Sequence, residues 1–147
     1  MLYFLDTSAL VKLYVQEPGT ARLRDLVRSE EEHRFAVLSI SAVEARSGIR
    51  RRQREGDIDP NSADQILAAL QRDMEEKFVR QSVNDAVIET ASELVDRYPL
   101  RAYDAMQLGG CVMLGSSDVG AVTFLCSDQR LIDAARSEGI SVLDPAA

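Results

Sequence analysis

The sequence predicts a three-layer α/β/α fold around a short, mostly parallel sheet of about five strands. Short apolar runs rich in β-branched and aromatic residues alternate with longer segments of helical periodicity, which is the pattern of parallel βα units. The chain has 147 residues, 46% of them hydrophobic, and it contains no internal repeat, low-complexity tract or long linker. We therefore expect a single domain over residues 1–147.

Five apolar runs are the predicted strands. They cover residues 2–5, 35–38, 78–81, 122–126 and 140–143. Runs this short and this rich in β-branched or aromatic residues are typical of buried strands. In a parallel sheet, ligands bind at the carboxyl ends of the strands.

Seven segments between these runs are predicted helices. Six of them cover residues 8–15, 20–29, 41–54, 84–98, 103–114 and 128–137. The seventh begins at a cap formed by Asn61 or Ser62 and places Ile66, Leu67 and Leu70 on one face. Residues 17–19 are a predicted turn, residues 115–118 are a predicted loop, and Gly139 closes the last helix.

Several classes of protein are disfavoured by what the sequence lacks. No apolar run approaches the ~18–20 residues of a membrane span, and the N-terminus is too short to be a signal peptide. The two cysteines, Cys111 and Cys126, form no CxxC motif, which argues against a disulfide scaffold or a thiolate zinc site. We therefore expect the protein to reside in the reducing cytoplasm.

Familiar nucleotide and nucleophile motifs are also missing. No glycine-rich phosphate loop and no GxGxxG motif is present. The single histidine, His33, lies in a polar segment and is predicted to be a solvated surface residue, so it supports no catalytic triad. Phosphotransfer at Asp6 would need a late lysine opposite it, and Lys77 precedes the third strand instead.

The charge is unevenly distributed along the chain. The formal net charge of −7 does not favour nucleic-acid binding by default. Five arginines nevertheless fall within nine residues that contain no acid: Arg46, Arg50, Arg51, Arg52 and Arg54. Arg46, Arg50 and Arg54 recur every four residues and so share one helical face. They are candidate contacts for the phosphates of a nucleic acid, although a solvated surface or contact with an acidic protein segment explains them equally well.

Four acidic residues stand at positions where chemistry could occur. Asp6 ends the first strand. Asp128 follows the fourth strand, which ends at Cys126, with one residue between them. Glu44 lies early in the helix after the second strand, and Asp104 begins the most apolar helix. Four carboxylates in one crevice would repel each other, and a divalent cation with oxygen ligands, Mg²⁺ or Mn²⁺, would explain why they are collected there.

Each of these acids also has a simpler interpretation. Asp6 and Asp128 could be helix N-caps, Asp104 could favour a helix dipole, and Glu44 could be a surface residue. The four together indicate a metal site more strongly than any one of them alone.

Four motifs resemble those of PIN-domain proteins of the VapC toxin type. They are the opening Leu5-Asp6-Thr7-Ser8-Ala9-Leu10-Val11-Lys12-Leu13-Tyr14, Ser41-Ala42-Val43-Glu44, Tyr103-Asp104-Ala105-Met106-Gln107-Leu108, and Leu125-Cys126-Ser127-Asp128-Gln129-Arg130-Leu131. The resemblance runs in order from residue 2 to residue 145. It departs from the family at Gly109-Gly110-Cys111, where an alanine-rich continuation is expected.

The resemblance implies a metal-dependent endoribonuclease that is the toxin of a toxin–antitoxin pair. It implies that Asp6, Glu44, Asp104 and Asp128 are the catalytic acids that hold Mg²⁺ or Mn²⁺, and that Ser8, or the Thr7 main chain, helps to position the metal or its water. Hydrolysis by a metal-activated water would leave a 5′-phosphate and a 3′-hydroxyl. Arg130 is a further candidate for contact with RNA phosphate.

The resemblance also implies binding partners, and two alternative functions remain open. We expect an RNA substrate, a cognate antitoxin protein, no membrane and a homodimer, with the apolar faces of 61–70 and 84–98 as candidate surfaces. The alternatives are another nuclease on the same fold, for RNA processing or DNA cleavage, and a catalytically inactive interaction module.

Overall fold

A five-stranded, all-parallel sheet forms the middle layer of the fold. The computed structural model of the chain describes residues 1–117 and 119–147. The strands are β1 (Leu2–Leu5), β2 (Arg34–Leu38), β3 (Val79–Gln81), β4 (Val122–Leu125) and β5 (Ser141–Leu143). Their order across the sheet is β3-β2-β1-β4-β5, so that β1 is central and pairs with both β2 and β4. The predicted parallel sheet is confirmed, and each of the four strand pairings is parallel.

Seven helices cover the two faces of the sheet in the described part of the chain. They are α1 (Thr7–Lys12), α2 (Thr20–Arg28), α3 (Ser41–Arg54), α4 (Pro60–Glu76), α5 (Asp85–Arg97), α6 (Ala102–Gly115) and α7 (Gln129–Ser137). Each corresponds to a predicted segment, so the predicted α/β/α class is confirmed.

Two predicted helix ends are wrong for local reasons. The first helix ends at Lys12 rather than at residue 15, because the amides of Leu13 and Tyr14 bond three residues back and tighten the chain into a turn. The cap of α4 is neither Asn61 nor Ser62. Asp59 Oδ1 accepts a hydrogen bond from the Ser62 amide at 2.9 Å, and Pro60 occupies the first helical position.

Alternate strand side chains enter two separate cores. Phe4 and Phe124 pack on one face with residues of α5, α6 and α7. Tyr3 and Leu5 point to the opposite face and pack with residues of α1, α2, α3 and α4. This period of two is what places a helical layer on each side of a parallel sheet.

The glycine pair in α6 allows close packing of that helix. A Cβ on Gly110 would lie 2.7 Å from Leu38 Cδ1 and 3.2 Å from Phe4 Cζ, and one on Gly109 would lie 3.2 Å from the Val87 carbonyl oxygen. The departure from the expected alanine-rich sequence therefore lets α6 approach both the sheet and α5.

His33 is not the solvated surface residue that the sequence predicts. Its side chain is only 6% exposed, and its ring packs edge-on against Tyr3 at 5.3 Å between centroids and against Phe35 at 6.4 Å. The polar segment around it conceals this burial, because the aromatic neighbours come from β1 and β2. The described contacts of the buried His33 ring are with Tyr3, Phe35 and Glu31, which form no catalytic triad.

The predicted dimer face on 61–70 is also wrong, because Leu67 and Leu70 are buried in this chain's own core. On α5, Val87, Ala91 and Leu94 are similarly buried, while Ile88 and Val95 stay exposed.

The predicted loop at 115–118 begins after α6 ends at Gly115, and its Asp118 lies outside the described residues. Among the described helices, none is long and apolar enough to cross a membrane.

Candidate active site

Asp6 and Asp128 follow the neighbouring strands β1 and β4 at their carboxyl ends. The Asp6 amide donates to the Leu125 carbonyl at 3.1 Å, which joins the ends of β1 and β4. Asp6 Oδ1 caps α1 through the Ala9 amide at 2.8 Å, and Asp128 Oδ1 caps α7 through the Leu131 amide at 3.0 Å. The interpretation of both as N-caps is therefore correct. Each cap uses one carboxylate oxygen and fixes the side chain at this edge, so capping and ligand binding are compatible.

Asp6 is the most deeply placed of these acids. It is 5% exposed, and the Ser8 hydroxyl donates to both of its oxygens, at 2.8 and 3.0 Å. Burial raises the pKa of Asp6 to about 6, with a smaller contribution from the negative charge of Asp104. The hydrogen bonds from Ala9 and Ser8 lower the pKa but do not cancel the effect of burial.

Asp104 and Glu44 bring the number of acids at this edge to four. Asp104 lies in the first turn of α6, and Glu44 lies in the first turn of α3. Burial, followed by the charges of Asp128 and Glu44, raises the pKa of Asp104, while Arg101 lowers it. Since Asp104 also raises the pKa of Asp6, Asp104 interacts electrostatically with each of the other three acids. We call this group (Asp6, Glu44, Asp104 and Asp128) the carboxylate crevice.

The carboxylate crevice lacks a neutralising side chain within ion-pair distance in residues 1–117 and 119–147. Over the same residues, no three His, Cys, Asp or Glu side chains lie close enough together to hold a metal ion as they stand. Glu44 and Asp128 are exposed, however, so their side chains have room to rotate toward Asp6 and Asp104. The backbone thus brings the four acids to one edge without preassembling them as ligands.

A buried polar network lies beneath these acids, and its centre, Gln107, was missed by sequence reasoning. Gln107 Nε2 lies 3.1 Å from Thr7 Oγ1, 2.9 Å from Ser41 Oγ and 3.4 Å from the Tyr103 hydroxyl. Thr7 follows Asp6, Ser41 lies one turn before Glu44, and Tyr103 precedes Asp104. Gln107 in α6 therefore ties that helix to α1 and α3, which places Asp6, Glu44 and Asp104, three of the four acids, around one network. The available signal was a glutamine within the most apolar helix.

A polar cleft of about 570 Å³ adjoins the crevice between α1 and α3. Its described lining consists of Thr7, Ser8, Val11, Glu17, Glu44, Gly48, Arg51, Arg52, Glu55 and Asp57. Glu17 is bound by two cations there, with Lys12 Nζ at 3.0 Å and Arg52 on its other oxygen. We call Lys12, Glu17 and Arg52 the Glu17 ion-pair cluster. The sequence did not reveal it, because the turn after α1 brings these residues together.

Comparison with known proteins places this geometry in a family. Residues 3–136 match the PIN domain. The chain belongs to the PIN domain family. It is 31% identical over 143 residues to Ribonuclease VapC46 of Mycobacterium tuberculosis (strain ATCC 25618 / H37Rv), covering 97% of this chain and 96% of the relative.

Two solved structures share the fold of this PIN domain at low sequence identity. FitAcB from Neisseria gonorrhoeae has a TM-score of 0.68 at 13% identity, with 97% of each chain covered. A toxin-antitoxin complex from Klebsiella pneumoniae has a TM-score of 0.66 at 14% identity, again with 97% of each chain covered. The predicted resemblance to PIN-domain proteins of the VapC type is confirmed by these matches together.

In this PIN domain the arginines predicted to bind RNA point in several directions. Arg50 Nη1 donates to Gln53 Oε1 at 2.7 Å and to Asp64 Oδ1 at 2.9 Å, which turns it toward α4. Arg46 lines a different cavity, and neither it, Arg50 nor Arg54 belongs to the described lining of the cleft beside Glu44. Arg130 is exposed in the first turn of α7, next to the Asp128 cap.

Proposed function

We propose that this PIN domain is a divalent-metal-dependent endoribonuclease and the toxin of a toxin–antitoxin pair. The observation that carries the proposal is the carboxylate crevice, where Asp104 interacts electrostatically with three other acids and none of the four has an ion-pair partner among the described residues. The whole-length similarity to a ribonuclease supports the same activity.

The acids of the crevice fit Mg²⁺ or Mn²⁺, whose preferred ligands are oxygens. Asp6 is buried and oriented by Ser8, so it would be a fixed ligand. Asp104 would complete the inner part of the site, and the exposed Glu44 and Asp128 would turn toward the ion. When bound, such an ion activates water and neutralises charge on the scissile phosphate.

The residues of the chain have separate tasks in this proposal. Ser8 orients Asp6 through two hydrogen bonds, and the Gln107 network holds Thr7, Ser41 and Tyr103 in place around the acids. Tyr103 stays protonated at neutral pH, because burial and the nearby Glu44 raise its pKa to about 12. Its hydroxyl can therefore donate a hydrogen bond throughout the reaction.

The partners are proposed on the same basis. A toxin-antitoxin complex from Klebsiella pneumoniae shares the fold, which supports an antitoxin for this chain. Exposed Ile88 and Val95 on α5 are the surface we propose for a homodimer. Arg46, Arg54 and Arg130 are exposed and remain candidates for RNA contact. The free, buried Cys111 and Cys126 fit a cytoplasmic location.

The test is cleavage of a total RNA pool by antitoxin-free protein with Mn²⁺ or Mg²⁺, with the new ends mapped. We expect discrete cuts with 5′-phosphates that disappear in chelator. Asp104→Asn should lower the rate by about 100-fold or more, because it removes one charge from the site. Asp25→Asn is the matched control, since Asp25 is an exposed residue of α2 outside the crevice.

Mn²⁺ titration of the same proteins gives a second readout. Cleavage that survives chelator or Asp104→Asn would contradict the carboxylate mechanism. Cleavage of DNA in place of RNA would indicate another nuclease duty on this fold. A folded protein that neither cleaves RNA nor binds Mn²⁺ would be an interaction module.

A further inference from the structure

One face of α3 leads from the carboxylate crevice into the adjoining cleft. Glu44, Gly48, Arg51 and Glu55 recur at helical spacing, and all four line the cleft. Seven residues separate Glu44 from Arg51, which is about 10 Å along a helix axis. A chain bound at Glu44 and running along α3 would therefore meet Arg51 next.

The path between these two residues is open. A Cβ on Gly48 would meet no atom within 4 Å, so the surface there is a shallow floor without a side chain. Gly48 lies inside α3, where glycine is disfavoured relative to alanine. Close packing against another element therefore does not require a glycine at position 48.

The two arginines of the cleft differ in what they already bind. Arg52 is engaged by Glu17, which also holds Lys12. The exposed side chain of Arg51 has neither a hydrogen bond nor an ion pair with any residue that the structure describes. Among the described lining residues of the cleft, Arg51 is therefore the cation available to a ligand, and its guanidinium matches a phosphate in charge and in donor geometry.

We infer that Arg51 binds a backbone phosphate of RNA next to the one at the carboxylate crevice. The inference rests on the proposed ribonuclease function and assigns a substrate contact to an arginine that was not among the predicted RNA contacts Arg46, Arg50, Arg54 and Arg130. Glu55 and Asp57 line the cleft beyond Arg51 along the chain. Their negative charges oppose a further phosphate there, which limits this contact to one phosphate.

The inference is tested by binding of polyuridylic acid in chelator, where the contribution of the crevice metal is absent. Arg51→Ala should weaken binding about tenfold and reduce the slope of log affinity against log salt by about 0.7, the value for one contact on a single strand. Arg51→Lys should restore most of the salt slope because it keeps the charge. Arg136→Ala, an exposed arginine of α7, is the control for the loss of one positive charge.

Cleavage kinetics on the RNA pool separate binding from chemistry. Arg51→Ala should raise KM about tenfold and leave kcat and the melting temperature unchanged, because this side chain holds no other described residue in place. Equal binding by Arg51→Ala and Arg136→Ala, or a loss seen in Arg54→Ala and not in Arg51→Ala, would overturn the inference while cleavage by the wild type persists. Wild-type protein that neither cleaves nor binds RNA would overturn the proposed function as well.

Discussion

Buried acids are treated in opposite ways at two places beside the same cleft. In the Glu17 ion-pair cluster, a largely buried glutamate receives Lys12 at 3.0 Å on one oxygen and Arg52 on the other. In the carboxylate crevice, Asp6 is still more buried and receives hydrogen bonds from Ala9, Ser8 and Cys126 but no ion pair from the residues that the structure describes. The charged residue that contributes to the raised pKa of Asp6 is another acid, Asp104.

The difference means that the negative charge of Glu17 stabilises the folded state, whereas the negative charges of the crevice destabilise it. Glu17 joins the turn after α1 to α3 and offsets two positive charges, so its negative charge is useful to the folded chain. The charge on Asp6 is disfavoured by burial and by Asp104, which makes ionisation at neutral pH a cost to stability. A cation-binding site explains why the chain has an aspartate at position 6 although its charge lowers stability.

The largest predicted effect is a gain in stability from Asp6→Asn in metal-free protein. The pKa of Asp6 is about 6 in the fold against 3.8 in the unfolded chain, a difference worth about 3 kcal/mol once both states are ionised. Because the folded pKa is the raised one, stability is lost as pH rises from about 4 through about 6. Urea unfolding in chelator should show the gain of Asp6→Asn at pH 8 and only a small gain at pH 4.

Asparagine is also a good N-cap, so this substitution keeps the cap of α1. Exposed Asp25→Asn should show no such pH-dependent gain. Added Mn²⁺ should stabilise the wild type and leave Asp6→Asn much less affected. A loss of stability in Asp6→Asn at pH 8 would mean that the charge of Asp6 is already compensated in the folded state.

The opposite sign is expected at the Glu17 ion-pair cluster. Glu17→Gln removes the charge that holds Lys12, whose side chain is only 10% exposed, and should lower the free energy of unfolding by about 2 kcal/mol. This value lies between those of surface and fully buried pairs, because Arg52 is partly exposed. Exposed Glu30→Gln is the control, and a stability equal to wild type would remove the contrast between the two regions.

The features that could be predicted from the sequence are those set by a local pattern of residues. Short apolar runs fixed all five strands to within about one residue, and acids placed just after strands marked the carboxyl edge of the sheet. Asp6 and Asp128 follow from this rule directly, because β1 and β4 are neighbours. Asp104 stood out as a charge opening an apolar helix.

The remaining features depend on contacts between distant segments. Arg50 and Arg51 are adjacent in sequence, yet the rotation of α3 against α4 sends one to Asp64 and the other into the cleft. His33 is buried by aromatic residues of two strands, and Glu17 meets Arg52 only because the turn after α1 folds back onto α3. Spacing along a helix predicts which residues share a face but not which neighbour that face meets.

The smallest predicted effect concerns Gly48, which lies on α3 between the two regions. Gly48→Ala should raise the free energy of unfolding by about 0.5–1 kcal/mol, because alanine is the better helix former and its Cβ meets no atom within 4 Å. Gly110→Ala is the contrasting variant. Its Cβ would lie 2.7 Å from Leu38 Cδ1, so it should destabilise by about 1–3 kcal/mol. Thermal unfolding of both variants distinguishes a glycine required for packing from one that leaves the cleft floor open, and a destabilised Gly48→Ala would assign Gly48 to the first kind.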